Sequence, residues 1–141
     1  MGGESTMCSK DTKSVLIECA FFNPESIIGK SIKYDLKSDA AHKFERYVDP
    51  LIHEKALRRF IYIVNEHIKI KNISMTSFVY DDYKQRTISN DLKKINNILG
   101  TNIYNEKFQE ILSNLGFNIS NNSIEIPSWR SDINSLNDIA E

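Results

Sequence analysis

Apolar residues in the first half of the chain fall into two patterns. Residues 14–22 (SVLIECAFF) form an almost continuous apolar run, interrupted by Glu18, and such a run predicts a buried strand. Asn23 and Pro24 then supply a helix start, with asparagine at the N-cap and proline at the first helical position. The predicted helix carries apolar residues every four positions, which places them on one face: Ile28, Ile32 and Leu36.

A short helix from Ala40 to Arg46 and a longer amphipathic helix are predicted next. Asp49 and Pro50 repeat the cap-and-proline signal, and the longer helix ends near His67. Its apolar positions follow the spacing i, i+3, i+4, i+7: Leu57, Phe60, Ile61 and Val64. Residues 68–80 alternate loosely and predict a strand, and the polar residues 81–85 (DDYKQ) predict a linker.

The second half gives clearer signals. Ser89 is predicted to cap a helix that ends at Gly100, and Asn105 to cap a second helix that ends at Gly116. A hairpin follows, with strands around 117–119 and 124–126 on either side of a polar turn. A last helix begins around Ser135, and Trp129 is expected to anchor the core. Two helices, a hairpin and a helix indicate a winged-helix-like arrangement, so the predicted class of the chain is α+β.

Composition and charge narrow the possible functions. The chain has 141 residues, 40% of them hydrophobic and 26% charged, which is ordinary for a soluble protein of one medium or two small domains. No apolar run reaches the roughly 20 residues of a membrane span, and the start lacks the features of a signal peptide, so we expect a cytoplasmic protein without a membrane partner. The net charge of −1 argues against a broad nucleic-acid surface. Cys8 and Cys19 lack the spacing of a zinc site.

Four motifs, in the same order, resemble the bacterial-type phenylalanine–tRNA ligase beta subunit. The first is MGG at 1–3, followed by DT at 11–12 and LIECAFFNP at 16–24. The second, SDAAHKFERYVDP at 38–50, is similar to the family signature S/T-D-A-S-x-R-F-E-R-G-V-D-P. The third is ILSNLGF at 111–117 and the fourth PSWRSD at 127–132. Because the four together span nearly the whole chain, they carry more weight than any one of them.

The resemblance implies an internal fragment with two domains. Residues 1–75 resemble the C-terminal part of the α/β editing domain, which hydrolyses tRNA-Phe mischarged with tyrosine. Residues 76–141 resemble the following B-five domain, winged-helix-like and truncated at its C-terminal end. The intact family enzyme joins phenylalanine to tRNA-Phe with ATP, as a heterotetramer of two alpha and two beta subunits. We expect the fragment alone not to catalyse aminoacylation.

The second motif departs from the family signature at Tyr47, where the family has glycine. Glycine is the residue that adopts positive φ angles or allows a close backbone approach without steric cost. Ala41 and Lys43 also stand where the family usually has serine and arginine. The replacement by Tyr47 therefore questions the local geometry of that turn, not the membership of the family.

Glu18 is the first candidate site residue. A carboxylate inside an apolar strand is costly to bury unless it is paired, so it is expected to meet a ligand. By resemblance, Glu18 lines the editing pocket and recognises the tyrosine hydroxyl, with Gly2 and Gly3 forming a loop near the substrate. The bland alternative is an exposed glutamate on an edge strand.

The second candidate site is an acidic trio, Asp132, Asp138 and Glu141. Asp138 and Glu141 share a helix face at a spacing of three, and Asp132 joins them only if it precedes the helix. Carboxylate oxygens suit Mg²⁺, and the resemblance implies a magnesium ion shared with the alpha subunit, with a further ligand in the residue after Glu141. The alternative is a solvated acidic first helical turn, favoured by the helix dipole.

Two other functions stay open. The chain is alternatively a non-catalytic module that binds RNA or protein through its winged-helix-like half, although its near-neutral charge argues against tight RNA binding. It is also compatible with a purely architectural role in holding the alpha subunit. The histidines His42, His53 and His67 have no partners at catalytic or metal-ligand spacing.

Overall fold

Helices and one small antiparallel sheet make up the computed structural model, which describes residues 3–141. The first half contains four helices: α1 (Pro24–Ile27), α2 (Lys30–Lys33), α3 (Asp39–Arg46) and α4 (His53–His67). The second half contains β1 (Thr87–Ser89), α5 (Leu92–Leu99), α6 (Asn105–Asn114), β2 (Asn118–Ile119), β3 (Ser123–Glu125) and α7 (Leu136–Ala140). The predicted α+β class is confirmed at this level.

Local capping signals explain two helix starts of the first half, those of α1 and α3. The Asn23 side chain accepts a hydrogen bond from the backbone N–H of Glu25 at 3.1 Å, which confirms the predicted cap. The Ser38 hydroxyl accepts from the N–H of Ala41 at 3.1 Å and starts α3. The predicted end of the longer helix at His67 is also confirmed. Each of these side chains satisfies a backbone donor that the first helical turn leaves unpaired.

The prediction of a single helix after Pro24 is wrong, because two short helices form instead. Gly29 adopts a φ of 78° and separates α1 from α2, because a left-handed residue interrupts the helical hydrogen-bond pattern. The three residues of the predicted apolar face are exposed: Ile28, Ile32 and Leu36. The regular spacing of these residues therefore does not correspond to a packed surface.

Neither predicted strand of the first half forms. Residues 14–22 and 68–80 have no strand assignment and pair with no other segment, and Leu16 is fully exposed. A strand exists only when a neighbouring segment takes up its backbone donors and acceptors, and no described segment pairs with these two in a sheet. The pattern of apolar residues indicates a tendency that this chain does not satisfy by itself.

The sheet of the second half has the order β1-β3-β2, with both pairs antiparallel. Ile124 lies opposite Ile88 on one side and Ile119 on the other. The predicted hairpin is confirmed by β2 and β3, whereas β1 was missed. The neighbouring chain extends the sheet, because the N–H of Ile126 donates to the Arg86 carbonyl at 2.9 Å and the Gln85 amide donates to the Ile126 carbonyl at 2.8 Å.

All residues classed as buried in the described range lie in the second half. Their apolar side chains come from helices α5, α6 and α7, from the sheet and from the loop before α7: Ile95, Phe108, Leu112, Phe117, Ile124, Ile126, Ile133 and Leu136. In the first half α1 packs on α3, and just before α1 the ring of Phe22 meets the ring of Phe44 edge to face, with centroids 5.0 Å apart. The closed core therefore belongs to the second half.

Two helices of the second half end at the glycines that the sequence predicts. Gly100 adopts a φ of 66° after α5, and Gly116 a φ of 87° after α6. The cap of α5 differs from the prediction, since Asp91, not Ser89, accepts from the N–H of Lys94 at 3.0 Å. Trp129 lies over Gly116, where a Cβ would come within 2.8 Å of the indole ring. The expectation that Trp129 anchors the core is wrong, because 54% of it is exposed.

Replacing Ile124 by alanine is expected to lower the free energy of unfolding by about 2–5 kcal/mol, since Ile124 is completely buried and the cavity cannot fill with solvent without cost. Ile98, which is 43% exposed on α5, provides the matched control, and Ile98→Ala should have a clearly smaller effect. Urea denaturation followed by far-ultraviolet circular dichroism measures both. Equal losses from the two substitutions would contradict this description of the core.

Candidate functional site

A hooked loop at residues 3–14 lies next to Glu18. The Gly3 carbonyl accepts from the N–H groups of Thr6 and Met7 at 3.0 and 3.1 Å, which makes a tight turn. The Thr12 hydroxyl accepts from the N–H of Ser9 at 2.7 Å and closes a second turn. These local hydrogen bonds fold the loop back, so that it forms the wall of an open groove.

The groove has a volume of about 680 Å³ and is lined by loop residues together with Glu18. Its lining combines hydroxyl groups, apolar side chains and one charge of each sign: Ser5, Thr6, Met7, Cys8, Thr12, Lys13, Ser14, Val15, Leu16 and Glu18. Gly3 lies at the start of the loop with open space around the position of a Cβ, and Gly2 lies outside the described residues. The groove is open and offers both polar and apolar contacts.

Glu18 itself is exposed. The argument that this carboxylate must meet a ligand because it is buried in a strand is therefore wrong, since residues 14–22 form no strand. What the structure does provide is a different placement, on the edge of a groove. Its role in substrate recognition stays a prediction that rests on the resemblance and on this place beside the groove.

Two carboxylates of the acidic trio, Asp132 and Asp138, already accept hydrogen bonds from neighbouring groups. Asp132 accepts two hydrogen bonds from Arg130, from Nε to Oδ1 at 2.9 Å and from Nη2 to Oδ2 at 2.7 Å. Asp138 Oδ2 accepts from the N–H groups of Asn134 and Ser135 at 2.9 and 2.8 Å and from the Ser135 hydroxyl at 3.0 Å. Glu141 is exposed after the end of α7.

These contacts determine the electrostatics of the two aspartates. The hydrogen bonds from the Arg130 side chain hold the pKa of Asp132 below its ordinary value. The backbone hydrogen bond from Asn134 lowers the pKa of Asp138, and Ser135 adds to that shift. Both groups are therefore charged at neutral pH, and Asp138 stabilises the start of α7 by accepting from donors that the helix leaves free.

The three carboxylates of the trio are not gathered into a metal-ligand group in the described range. Within residues 3–141, no three carboxylate, histidine or cysteine side chains converge as a metal site requires. Both carboxylate oxygens of Asp132 accept from the arginine, and Oδ2 of Asp138 accepts from groups at the helix start. A magnesium site at Asp132, Asp138 and Glu141 consequently stays a prediction from the resemblance.

Arg86 is a residue that sequence reasoning missed. Its guanidinium donates to three backbone carbonyls of the loop before α7: Arg130, Ser131 at 3.4 Å and Ile133 at 3.2 Å. Arginine carries its donors in a fixed planar fork, which suits several acceptors at once. No local motif marks Arg86, because its acceptors lie more than forty residues later in the chain.

Tyr47, which the sequence marks as the departure from the family signature, makes contacts that the sequence did not predict. It adopts a φ of 89° and a ψ of 134°, a conformation that costs a residue with a Cβ about 1–3 kcal/mol. Its hydroxyl donates to the Ser128 carbonyl at 3.0 Å, and its ring meets Phe21 edge to face at 5.7 Å. Burial raises the pKa of the Tyr47 hydroxyl, Tyr83 adds to that rise, and Arg86 opposes it. The departure from glycine thus comes with a strained backbone.

The histidines occupy different environments. The His42 ring nitrogen Nδ1 lies 2.9 Å from the Arg46 guanidinium on α3. His42 also lines a second cavity, of about 440 Å³, with Ser31, Lys37, Ser38, Asp39 and Glu45. The His53 carbonyl accepts from the Cys19 thiol at 3.9 Å, and His67 is exposed at the end of α4. No histidine in the described range joins a metal-ligand group.

Comparison with known proteins identifies both halves. Residues 1–69 match the B3/4 domain family, and residues 88–141 match the tRNA synthetase B5 domain family. The chain is 36% identical, over its whole length, to the phenylalanine–tRNA ligase beta subunit of Francisella tularensis. Identities to the same subunit are 33% in Pectobacterium atrosepticum, over 99% of the chain, and 31% in Haemophilus ducreyi, over all of it. The chain belongs to the phenylalanine–tRNA ligase beta subunit family.

The match covers a small share of each relative. The chain spans 19% of the Francisella subunit and 18% of each of the other two. Residues 1–69 are called the B3/4 part below, and residues 88–141 the B5 part. The groove with Glu18 lies in the B3/4 part, and the acidic trio lies in the B5 part. A domain boundary near residue 75 stays a prediction. None of the described helices is both long and apolar enough to cross a membrane.

Replacing Arg86 by lysine keeps the charge but removes the forked donors, so the free energy of unfolding should fall by roughly 1–3 kcal/mol. Urea denaturation gives the value. Lys84, an exposed cation two residues earlier, provides the control, and Lys84→Ala should change stability by less than about 0.5 kcal/mol. An Arg86→Lys protein as stable as the parent would show that the three carbonyls do not need the fork.

The pKa shift of Asp138 gives a pH dependence with a defined sign. Because the folded-state pKa is lowered, the stabilisation is fully present above the ordinary carboxyl pKa of about 4 and is lost as the pH falls through the lower folded value. Thermal denaturation between pH 2 and pH 6 should therefore show a steeper acid loss in the parent than in Asp138→Asn. Parallel curves for the two proteins would rule out this contribution.

Proposed function

We propose that the chain supplies part of the editing site and a structural module to a phenylalanine–tRNA ligase beta subunit. The observation that carries the proposal is the similarity to such subunits over the entire chain, through both the B3/4 and the B5 part. The complete enzyme would join phenylalanine to tRNA-Phe with ATP and contain two alpha and two beta subunits in the cytoplasm. In that assembly this segment would touch the alpha subunit and the tRNA, and it would not form the aminoacylation site.

The groove beside Glu18 would receive the amino acid of a mischarged tRNA. Tyrosine differs from phenylalanine by one hydroxyl group, and a carboxylate at the groove edge is a strong acceptor for it. Met7, Val15 and Leu16 offer apolar contacts to the ring. A site that binds the hydroxyl by a hydrogen bond discriminates well against the analogue without it, because the polar group would otherwise lose its partner.

Editing then requires water to attack the ester that joins tyrosine to the tRNA. Within the groove, Glu18 would hold the tyrosine side chain and thereby fix the position of the ester. The hydroxyl groups of Ser5, Thr6 and Thr12 are further donors and acceptors in the lining. We assign Glu18 to recognition and assign the activation of water to no residue.

The B5 part would act as a winged-helix-like scaffold. The strand order β1-β3-β2, with α5 and α6 between β1 and β2, supports this arrangement. In such a fold the second helix is the one that enters nucleic acid. Here α6 carries Glu106 and Glu110 against a single cation, Lys107, which is paired with Glu110 at 2.9 Å. The charge of α6 favours a contact with protein over one with phosphate groups.

The editing role is best tested in a complete enzyme. This chain replaces the matching segment of the Pectobacterium atrosepticum beta subunit. The resulting chimeric subunit is purified together with the alpha subunit of the same organism. Glu18→Ala should slow the hydrolysis of tyrosyl-tRNA-Phe about 10- to 150-fold, the equivalent of one hydrogen bond to a charged group at roughly 1.5–3 kcal/mol. Formation of phenylalanyl-tRNA-Phe should stay at the level of the unsubstituted chimera.

Glu4→Ala is the matched control, because Glu4 is an exposed carboxylate of the same loop that does not line the groove. It should leave tyrosine release unchanged. A Glu18→Ala enzyme that edits at the full rate would reject the recognition role. A chimera that neither charges nor edits would reject the wider proposal, that this chain works as a segment of the beta subunit.

A further inference from the structure

One hydrogen bond joins the B3/4 part to the B5 part within residues 3–141. It runs from the Tyr47 hydroxyl, at the end of α3, to the Ser128 carbonyl, in the loop before α7, over 3.0 Å. The other side-chain hydrogen bonds and ion pairs of these two parts stay within one part or involve the segment between them. The main contacts between helices also stay within one part, with α1 against α3 and α5 against α7. Among the side-chain hydrogen bonds of the described residues, the one from Tyr47 is therefore the direct connection between the two parts.

The backbone of Tyr47 indicates that its side chain is needed. At a φ of 89° and a ψ of 134°, glycine would meet no steric penalty, whereas tyrosine does. Such strain persists only where the surrounding contacts hold the residue in place. Two contacts do so here, the edge-to-face packing on Phe21 and the hydrogen bond to Ser128. Both depend on the phenol ring that glycine lacks.

The acceptor of this hydrogen bond belongs to a firmly held loop. Ser128 is the one buried polar residue of the described range, at 8% exposure. The carbonyls of the residues that follow Ser128 are also held, because Arg86 donates to those of Arg130, Ser131 and Ile133. The loop is thus fixed to the B5 core, and a group that binds the Ser128 carbonyl is fixed to that core as well.

The chain between the two parts contributes no regular structure. Residues 68–82 contain neither a helix nor a strand, and most of them are exposed. Two exposed aromatic residues, Phe78 and Tyr80, are 87% and 88% accessible and so do not pack on either part. Because the covalent connection does not set an orientation, a non-covalent contact has to do so.

We propose that Tyr47 is a positioning residue that sets the orientation of the B3/4 part relative to the B5 part through its hydrogen bond to Ser128. The inference is independent of the editing activity, since it concerns only the geometry of the two parts. Removing the hydroxyl alone should release the orientation while both parts keep their own packing.

Pulsed electron paramagnetic resonance on the full chain tests this inference. Spin labels are attached to cysteines placed at Asn65 on α4 and Asn114 on α6, both exposed, after Cys8→Ser and Cys19→Ser. The parent should give one narrow distance distribution, and Tyr47→Phe a distribution at least twofold broader. Tyr47→Gly, which also relieves the backbone, should be as broad. Tyr62→Phe, at an exposed tyrosine of α4, is the matched control and should match the parent.

Amide hydrogen exchange at Ile95 and Ile124 accompanies each measurement, because these core residues report whether the B5 part stays folded. Broadening with unchanged protection supports the positioning role. Identical narrow distributions in the parent and both Tyr47 variants overturn it, since other contacts then fix the parts. A distribution that is already broad in the parent overturns it as well. Broadening in Tyr62→Phe would show that the effect is not specific to Tyr47.

Discussion

The second half of the chain depends on one strand with neighbours on both edges. β3 pairs with β1 and with β2, and its central residue, Ile124, is completely enclosed. With both edges occupied, its backbone groups need no water, and its side chain can face the helices. Helices α5, α6 and α7 then cover one apolar surface. Arg86 and Asp138 act at the margin of this core, one by holding the loop before α7 and the other by holding the start of α7.

The first half has the same kinds of residue without such an enclosure. Side chains cap α1 and α3, yet Leu16 and Ile32 face solvent. Burial of apolar surface is the main favourable contribution to folding, so this half gains little from its own packing. The groove beside Glu18 lies in this half and is likewise open to solvent. A site of this kind depends for its final shape on whatever covers the remaining apolar surface.

How far the sequence predicts the structure depends on how local the signal is. Asn23 and Gly116 act on backbone groups a few residues away, and both were identified correctly. The strand predicted at 14–22 does not form, because a strand needs a partner segment and its own sequence does not specify one. The same reason hid β1, whose partner lies more than thirty residues later. At the candidate site, the types of residue could be predicted, but the contacts of Tyr47 and Arg86 could not, since they arise only when distant segments meet.

Trp129 is the single tryptophan of the chain, and it lies over the turn at Gly116 between α6 and β2. Indole fluorescence responds to changes in its surroundings, and the turn under this ring belongs to the second half. The molecule thus contains one tryptophan probe, and it lies in the second half. Emission from this ring would follow the unfolding of the sheet and its helices, so the second half can be observed by itself within the whole chain.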